Sequence, residues 1–368
     1  MQLHPFKAYY PNSSLIASPE LFFDEMSKEF LQFFQSGFFI KNDLSAIYIY
    51  EILFNHRLHT GIISGASISD FIQGKMIGHE NTLAAKEQAL LKLILLRKAM
   101  IKPVLLGYDA VPVLDELIAQ IKSQNPPFFT IRLDEYEETH RLWQLSDPAQ
   151  INIIRDYFRD YVPEVFIADG HHRTSTAVRL IQDGYMAGSD EDKSVLAAFF
   201  PFRDLEIYEF NRVVNVHTQM STPVFIARLS KYLHIKPLKS GRKPKEKHCM
   251  TLYISRQWYA LTWRKEVVEK MGLSDVVLDT ELFNHYIIHK ILKIADIRSE
   301  AGIQYIEGHK GINGVEKAVH NNEQCAGFCL FPISVEEMKT ASKAGRVLPP
   351  KSTWFEPRMK NGILVKTF

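Results

Sequence analysis

Two periods of hydrophobic residues alternate along this chain. Residues 46–54 (AIYIYEILF) and 57–67 are rich in Ile and Tyr on either side of Asn55-His56, which predicts two strands with a short connection. Gly74 to Gly78 breaks the chain. Beyond it Leu83, Leu90, Leu91, Ile94 and Leu95 recur at helical spacing, predicting a helix capped by Asn81 and running to about Ala99. Pro103 to Leu106 reads as a buried strand, Val113 to Ile121 as a helix, and residues 128–133 and 139–145 as strands. A helix over 148–161 leads to the compact apolar strand 164–168. That strand ends at Asp169-Gly170, after which Ala177, Val178, Leu180 and Ile181 give a further helix its buried side.

The alternation continues to the end. A strand is predicted at 195–202, helices at 223–232, 276–293, 312–321 and 334–344, and strands at 249–263 and 325–331. Hairpins with interspersed helices predict an α+β fold with mixed sheets, not a regular doubly wound one. No repeat of fixed period is visible. Three segments are expected: a β-rich N-terminal part over 1–75, a core over 76–204, and a C-terminal α+β domain over 205–368.

Composition narrows the function classes. A length of 368 residues suits two domains, and 44 basic against 42 acidic side chains leave a net charge of +2. So even a balance offers no whole-molecule field for nucleic acid or anionic membrane. The one basic run, Lys236 to Lys247, contains Pro and Gly and reads as an exposed loop. Three cysteines, Cys249, Cys325 and Cys329, cannot all pair, and no signal-like or membrane-spanning run is visible, so a cytoplasmic location is expected. Only 18 glycines are present, and Gly-x-Gly-x-x-Gly, Walker and Gly-x-Ser-x-Gly motifs are missing.

The most informative stretch is Ala168-Asp169-Gly170-His171-His172-Arg173-Thr174. A buried strand delivers the chain to Asp-Gly, and a helix begins at once. Its first turn carries unpaired N–H groups and partial positive charge, which suit a phosphate. Arg173, the imidazoles of His171 and His172 and the Thr174 hydroxyl add side-chain donors. Gly170 would admit an anion close to the backbone, and Asp169 could hold a divalent metal. The plainer alternative is that Asp169 only caps the helix.

A second patch, His79-Glu80, opens the helix after Gly78; alone, Glu80 is explained as well by complementing a helix dipole. A third, Lys351-Ser352-Thr353 within Pro350 to Arg358, offers an ammonium and two hydroxyls beside aromatics for phosphate and base. His285 and His289 stand four apart on a helix without a visible third ligand, so packed histidines are expected there.

These patches carry a resemblance. Pro5-Phe6-Lys7-Ala8, Ser18-Pro19, Gly74 through Thr82, His140-Arg141-Leu142-Trp143, Ala168 through Arg173 and Lys351-Ser352-Thr353-x-Phe355-x-Pro357 together resemble the bacterial family catalogued as domain of unknown function ten-fifteen. Members often continue Ser-Pro-Pro-Tyr-Asp where this chain has Ser18-Pro19-Glu20-Leu21-Phe22, and their Pro before His-Glu is Gly78 here. The middle is also similar to the ParB and sulfiredoxin superfamily of nucleotide binders. Within it the order His79-Glu80, helix, Pro103-Val104-Leu105, Asp169-Gly170-His171-His172-Arg173 resembles the free serine kinases.

That resemblance implies a ParB/sulfiredoxin-like core and a phosphotransferase acting on a small-molecule hydroxyl, with ATP or ADP and Mg2+. Glu80 would be the general base, with Asp169 and His172 beside it as catalytic residues. Gly170, His171, Arg173, Thr174, Lys351, Ser352 and Thr353 would bind phosphates, with His79 and His140 as substrate candidates and Asp169 as the metal ligand. A homo-oligomer is compatible with this reading. The competing classes are a nucleotide-gated DNA-binding protein of the ParB type, disfavoured by the neutral charge and by the lack of a helix-turn-helix, and a regulatory nucleotide-binding module without turnover.

Overall fold

The structure is a computed structural model and describes residues 1–186, 188–189, 193–216, 220–272, 276–295, 297 and 302–368. The contact pattern divides the chain into two units: Met1–Glu206 together with Pro357–Phe368, and Ile207–Glu356. Strands Glu206–Tyr208 and Trp354–Glu356 pair with each other, so the two crossings of the chain are neighbours.

The first unit is built on one mixed sheet. Its order is Met76–Ile77, Val165–Asp169, Val104–Tyr108, Ser194–Pro201, Arg57–Ser67, Ile47–Phe54, Glu138–Leu145 and Phe129–Leu133, with Leu3–His4 added beside Arg57–Ser67. The hairpin forms where the sequence places it, with Asn55 and His56 both at positive φ, as a two-residue turn between twisted strands requires. This sheet runs across position 75/76, the expected boundary, because strand 57–67 lies between 47–54 and 194–201. A second, four-stranded sheet joins Phe39–Lys41, Ala8–Pro11, Val365–Thr367 and Ala99–Met100, so the last residues of the chain pair with its beginning.

Helix Pro19–Gln35 had no counterpart in the sequence reading. Ser18 accepts from the Leu21 N–H at 3.5 Å, Pro19 occupies the first turn, and Phe22, Phe23, Met26 and Phe30 form the buried stripe. The helix expected from Asn81 instead runs from Ala84 to Arg97, preceded by Leu83, which makes no side-chain cap, and is closed by Lys98 in the left-handed region. Residues 79–83 lie outside it, and the His79 N–H is donated to His171 Nε2.

The second unit carries the six-stranded sheet Leu233–Leu238, Gln257–Trp263, Cys249–Ile254, Cys325–Cys329, Phe210–Asn215 and Ile303–Glu307, packed by helices whose core includes Phe225, Leu229, Phe283 and Ile287. The single strand expected over 249–263 is a hairpin, turned at Ser255-Arg256 with both residues at positive φ. The expected helix 276–293 begins at Asp279 and widens into π-helical geometry over Phe283–Ile291. The basic run is less free than a loop. It starts as an edge strand, where Pro237 is tolerated, and Lys243 donates to the Gly308 carbonyl at 2.9 Å beside Glu209.

Candidate functional site

Strand pairing assembles the site. Met76–Ile77 runs parallel to Val165–Phe166, so both chains leave the sheet at the same end. Gly78-His79-Glu80 thereby comes to lie beside Asp169-Gly170-His171, although about ninety positions separate them in sequence. On its other side Val165–Asp169 pairs antiparallel with Val104–Tyr108, Asp169 opposite Leu105, so Lys102 and Pro103 arrive at the same end. The register slips between Ile167 and Asp169; such a bulge re-aims the side chains that follow it.

His79 and His171 meet first. Their rings are 4.5 Å apart and nearly perpendicular, and the His79 N–H donates to His171 Nε2 at 3.2 Å. That bond makes Nε2 an acceptor, so the proton of a neutral His171 resides on Nδ1. Nδ1 in turn faces Glu80 Oε2 at 3.7 Å. Burial, reinforced by His172 and Arg173 and opposed by Asp169, pushes His171 down to about 4. Burial and His171 push His79 down to about 3. Both are neutral near pH 7. A Cβ at Gly78 would stand 3.2 Å from His171 Cδ2, so the small residue matters to this packing.

Asp169 is the second centre. Arg173 donates from Nη2 to Asp169 Oδ2 at 2.7 Å and from Nη1 to the Pro103 carbonyl at 2.7 Å. Lys102 Nζ lies 3.8 Å from Oδ2, and Arg358 Nη1 lies 3.4 Å from Oδ1. Burial opposes ionisation of Asp169, but these three cations hold its carboxyl well below the usual range. Gly170 has φ of +107°, and a Cβ there would fall 2.7 Å from Arg173 Nη2. The residue expected to admit an anion admits the guanidinium instead.

This arrangement does not fit Asp169 as a magnesium ligand. Both oxygens already face cations, and a divalent ion would enter a neighbourhood of net positive charge. Among the described residues, no group of three His, Cys, Asp or Glu side chains could hold a metal ion. His289 is hydrogen-bonded, Nδ1 to the Ile294 carbonyl at 2.7 Å, and Cys325 and Cys329 are buried thiols of a strand.

The other predicted residues distribute unevenly. His172 is half-buried, its Nδ1 has no hydrogen-bond partner among the described residues, and burial with Lys86 lowers its pKa against Glu87. The Thr174 hydroxyl donates back to the Gly170 carbonyl at 3.2 Å and is buried, so it faces the helix and not an incoming ligand. His140 is fully buried. Its Nε2 faces Glu138 at 3.2 Å and its Nδ1 faces the Tyr50 hydroxyl at 2.8 Å, while Lys360 bonds Glu138 at 2.6 Å. Both ring nitrogens are thus engaged, leaving no atom of the imidazole for a substrate. Lys351, Ser352 and Thr353 belong to the second unit. There Lys351 lies over the Phe210 ring at 4.8 Å, its carbonyl accepts from buried Arg212, and Ser352 donates to Pro349 at 2.7 Å.

Two residues escaped the sequence reading. Lys102 was hidden as an ordinary charge before Pro103, and Arg358 lies at the end of a patch whose other members drew the attention. Only pairing partners far apart in sequence reveal them.

Comparison with known proteins gives a family and a set of distant folds. No curated protein sequence matches the chain. Among solved structures, a free serine kinase in complex with AMP is similar at 14% identity and a TM-score of 0.38, covering 78% of this chain and 89% of that one. A conserved hypothetical protein from Pyrococcus furiosus is similar at 17% identity and 0.38, covering 79% and 92%. SbnI with a C-terminal truncation, from Staphylococcus aureus, is similar at 11% and 0.42, covering 81% and 85%. The family described as "Protein of unknown function (DUF1015)" matches residues 10–282, most of the length, and the chain belongs to it.

Proposed function

We propose that this chain is a nucleotide-dependent phosphotransferase acting on a hydroxyl of a small molecule such as free serine. Its core over 76–204 would be of the ParB/sulfiredoxin type, and its donor ATP or ADP. The observation that carries the reading is the parallel pairing of Met76–Ile77 with Val165–Phe166, which sets Glu80 next to the strand–helix turn Asp169–Arg173. A carboxylate beside a helix N-terminus and a guanidinium is what transfer to a hydroxyl needs: a base for the proton and fixed positive charge for the phosphoryl group.

Glu80 is the general base of this scheme. His171 Nδ1 faces its carboxylate at 3.7 Å, while His79 fixes the tautomer through its backbone N–H. His172 follows His171 in the first turn of the helix and would serve beside Glu80 as a further catalytic residue. Phosphate charge is met by Arg173 and the first turn of helix His171–Gln182. Asp169 organises that charge and holds no metal.

The test is a panel of hydroxylated metabolites, serine included, incubated with purified protein, ATP or ADP and Mg2+ and read by mass spectrometry. A phosphorylated product that disappears in Glu80→Gln is expected. Nucleotide binding without any product, unchanged by Glu80→Gln, would assign a regulatory module instead.

A further inference from the structure

The cations around Asp169 come from three separate segments: Lys102 before strand Val104–Tyr108, Arg173 in helix His171–Gln182, and Arg358 in the C-terminal segment. We infer that Lys102 and Arg358 join Arg173 in a three-cation seat for the outermost phosphoryl group of a nucleotide or of pyrophosphate, with Asp169 as the resident counter-charge. This deepens the phosphotransferase reading and rests on it, adding Lys102 and Arg358, to which the sequence analysis gives no role. Arg358 also lies outside the residues matched by the family.

Charge is the first argument. Three cations share one carboxylate, and Asp169 is the one acid among the charged groups acting on Lys102. Holding the Lys102 ammonium beside two guanidiniums in a half-buried place is unfavourable until an anion joins it, and a phosphoryl dianion supplies that charge. Burial and the two guanidiniums push the Lys102 ammonium down to about 8, the same imbalance seen from another side.

Geometry is the second argument. Arg173 lies 2.7 Å from Asp169, Arg358 3.4 Å and Lys102 3.8 Å, so all three cations converge on one carboxylate. The Lys102 and Arg358 side chains are 27% and 29% exposed, so both reach solvent, where a ligand can meet them beside the carboxylate. A guanidinium fork suits phosphate oxygens, and an ammonium supplies a compact charge beside it.

Calorimetric titration of the full chain with inorganic pyrophosphate, ATP and ADP decides the matter, using Arg358→Gln, Lys102→Met and Arg358→Lys. Both neutral variants should weaken binding of the phosphate probes by about tenfold or more, the scale of a charge-assisted hydrogen bond, and Arg358→Lys should recover much of it. Circular dichroism checks folding; if Arg358→Gln does not fold, Lys102→Met carries the test. Tight nucleotide binding unchanged in every variant overturns the seat and leaves the phosphotransferase reading standing. Pyrophosphate binding that the variants weaken, with no binding of ATP or ADP, supports the seat and overturns the reading. If the wild type binds none of the probes, both fall.

Discussion

Gly170 shows how one residue sets the chemistry of this turn. Its φ of +107° and the Arg173 guanidinium above it leave no room for a side chain. Gly170→Ala should cost about 1–2 kcal/mol in backbone strain alone. It should also swing Arg173 off Asp169, measured as a lower melting temperature together with weaker nucleotide binding. His171 makes a second prediction. Its folded pKa, about 4, lies below the ordinary 6.5, so the unfolded chain binds more protons between those values. The resulting stability is fully present above about pH 6.5 and is lost as the pH falls toward 4. Denaturant titrations at pH 7 and pH 5 should therefore show a steeper loss for the wild type than for His171→Gln. Equal losses would contradict a buried, neutral His171.

At the scale of elements, the site is made by register. Asp169 to Arg173 is legible in the sequence because it follows a hydrophobic run and breaks it with polar groups, whereas His79-Glu80 gains its weight only from the family resemblance. Their proximity was not legible from periodicity, since a two-residue strand, Met76–Ile77, has no period to detect. The same limit hid Lys102, brought in by an antiparallel neighbour, and made Asn81 look like a cap. Pattern was strongest where elements are long and one-sided. Helix Pro148–Tyr161 follows the expected bounds, with Ile151, Ile154 and Phe158 buried.

The C-terminal strand Val365–Thr367 is short too, yet it joins Ala8–Pro11 to Ala99–Met100, and Lys366 Nζ donates to the Ser194 carbonyl at 2.8 Å. Ending the chain after Glu356 would remove that strand, Arg358 and the Lys360 partner of buried Glu138. The truncated protein should melt markedly lower or fail to fold. A melting temperature equal to that of the full chain would show that the strand contributes nothing.

At the scale of the whole molecule, contacts divide the chain into two units, one of which combines Met1–Glu206 with Pro357–Phe368. Cutting a sequence into consecutive thirds cannot represent a unit that closes with its own distant C-terminus. Because Glu206–Tyr208 and Trp354–Glu356 pair, the two ends of Ile207–Glu356 are near one another. Replacing that stretch by a short Gly-Ser linker should leave a folded, cooperatively melting first unit that retains the His79–His171 contact. Nuclear magnetic resonance of the histidine rings would show it, and a disordered spectrum would deny the unit its independence.

The central claim is that Glu80 serves as base for phosphoryl transfer at the Asp169–Arg173 turn. It is tested most directly by following 31P spectra of ATP or ADP with serine and the purified protein, wild type beside Glu80→Gln. The account predicts a phosphomonoester signal rising as the nucleotide loses its terminal phosphate, and a loss of about a hundredfold or more in rate for the variant, the scale of general-base catalysis. A product formed equally fast by Glu80→Gln would contradict it.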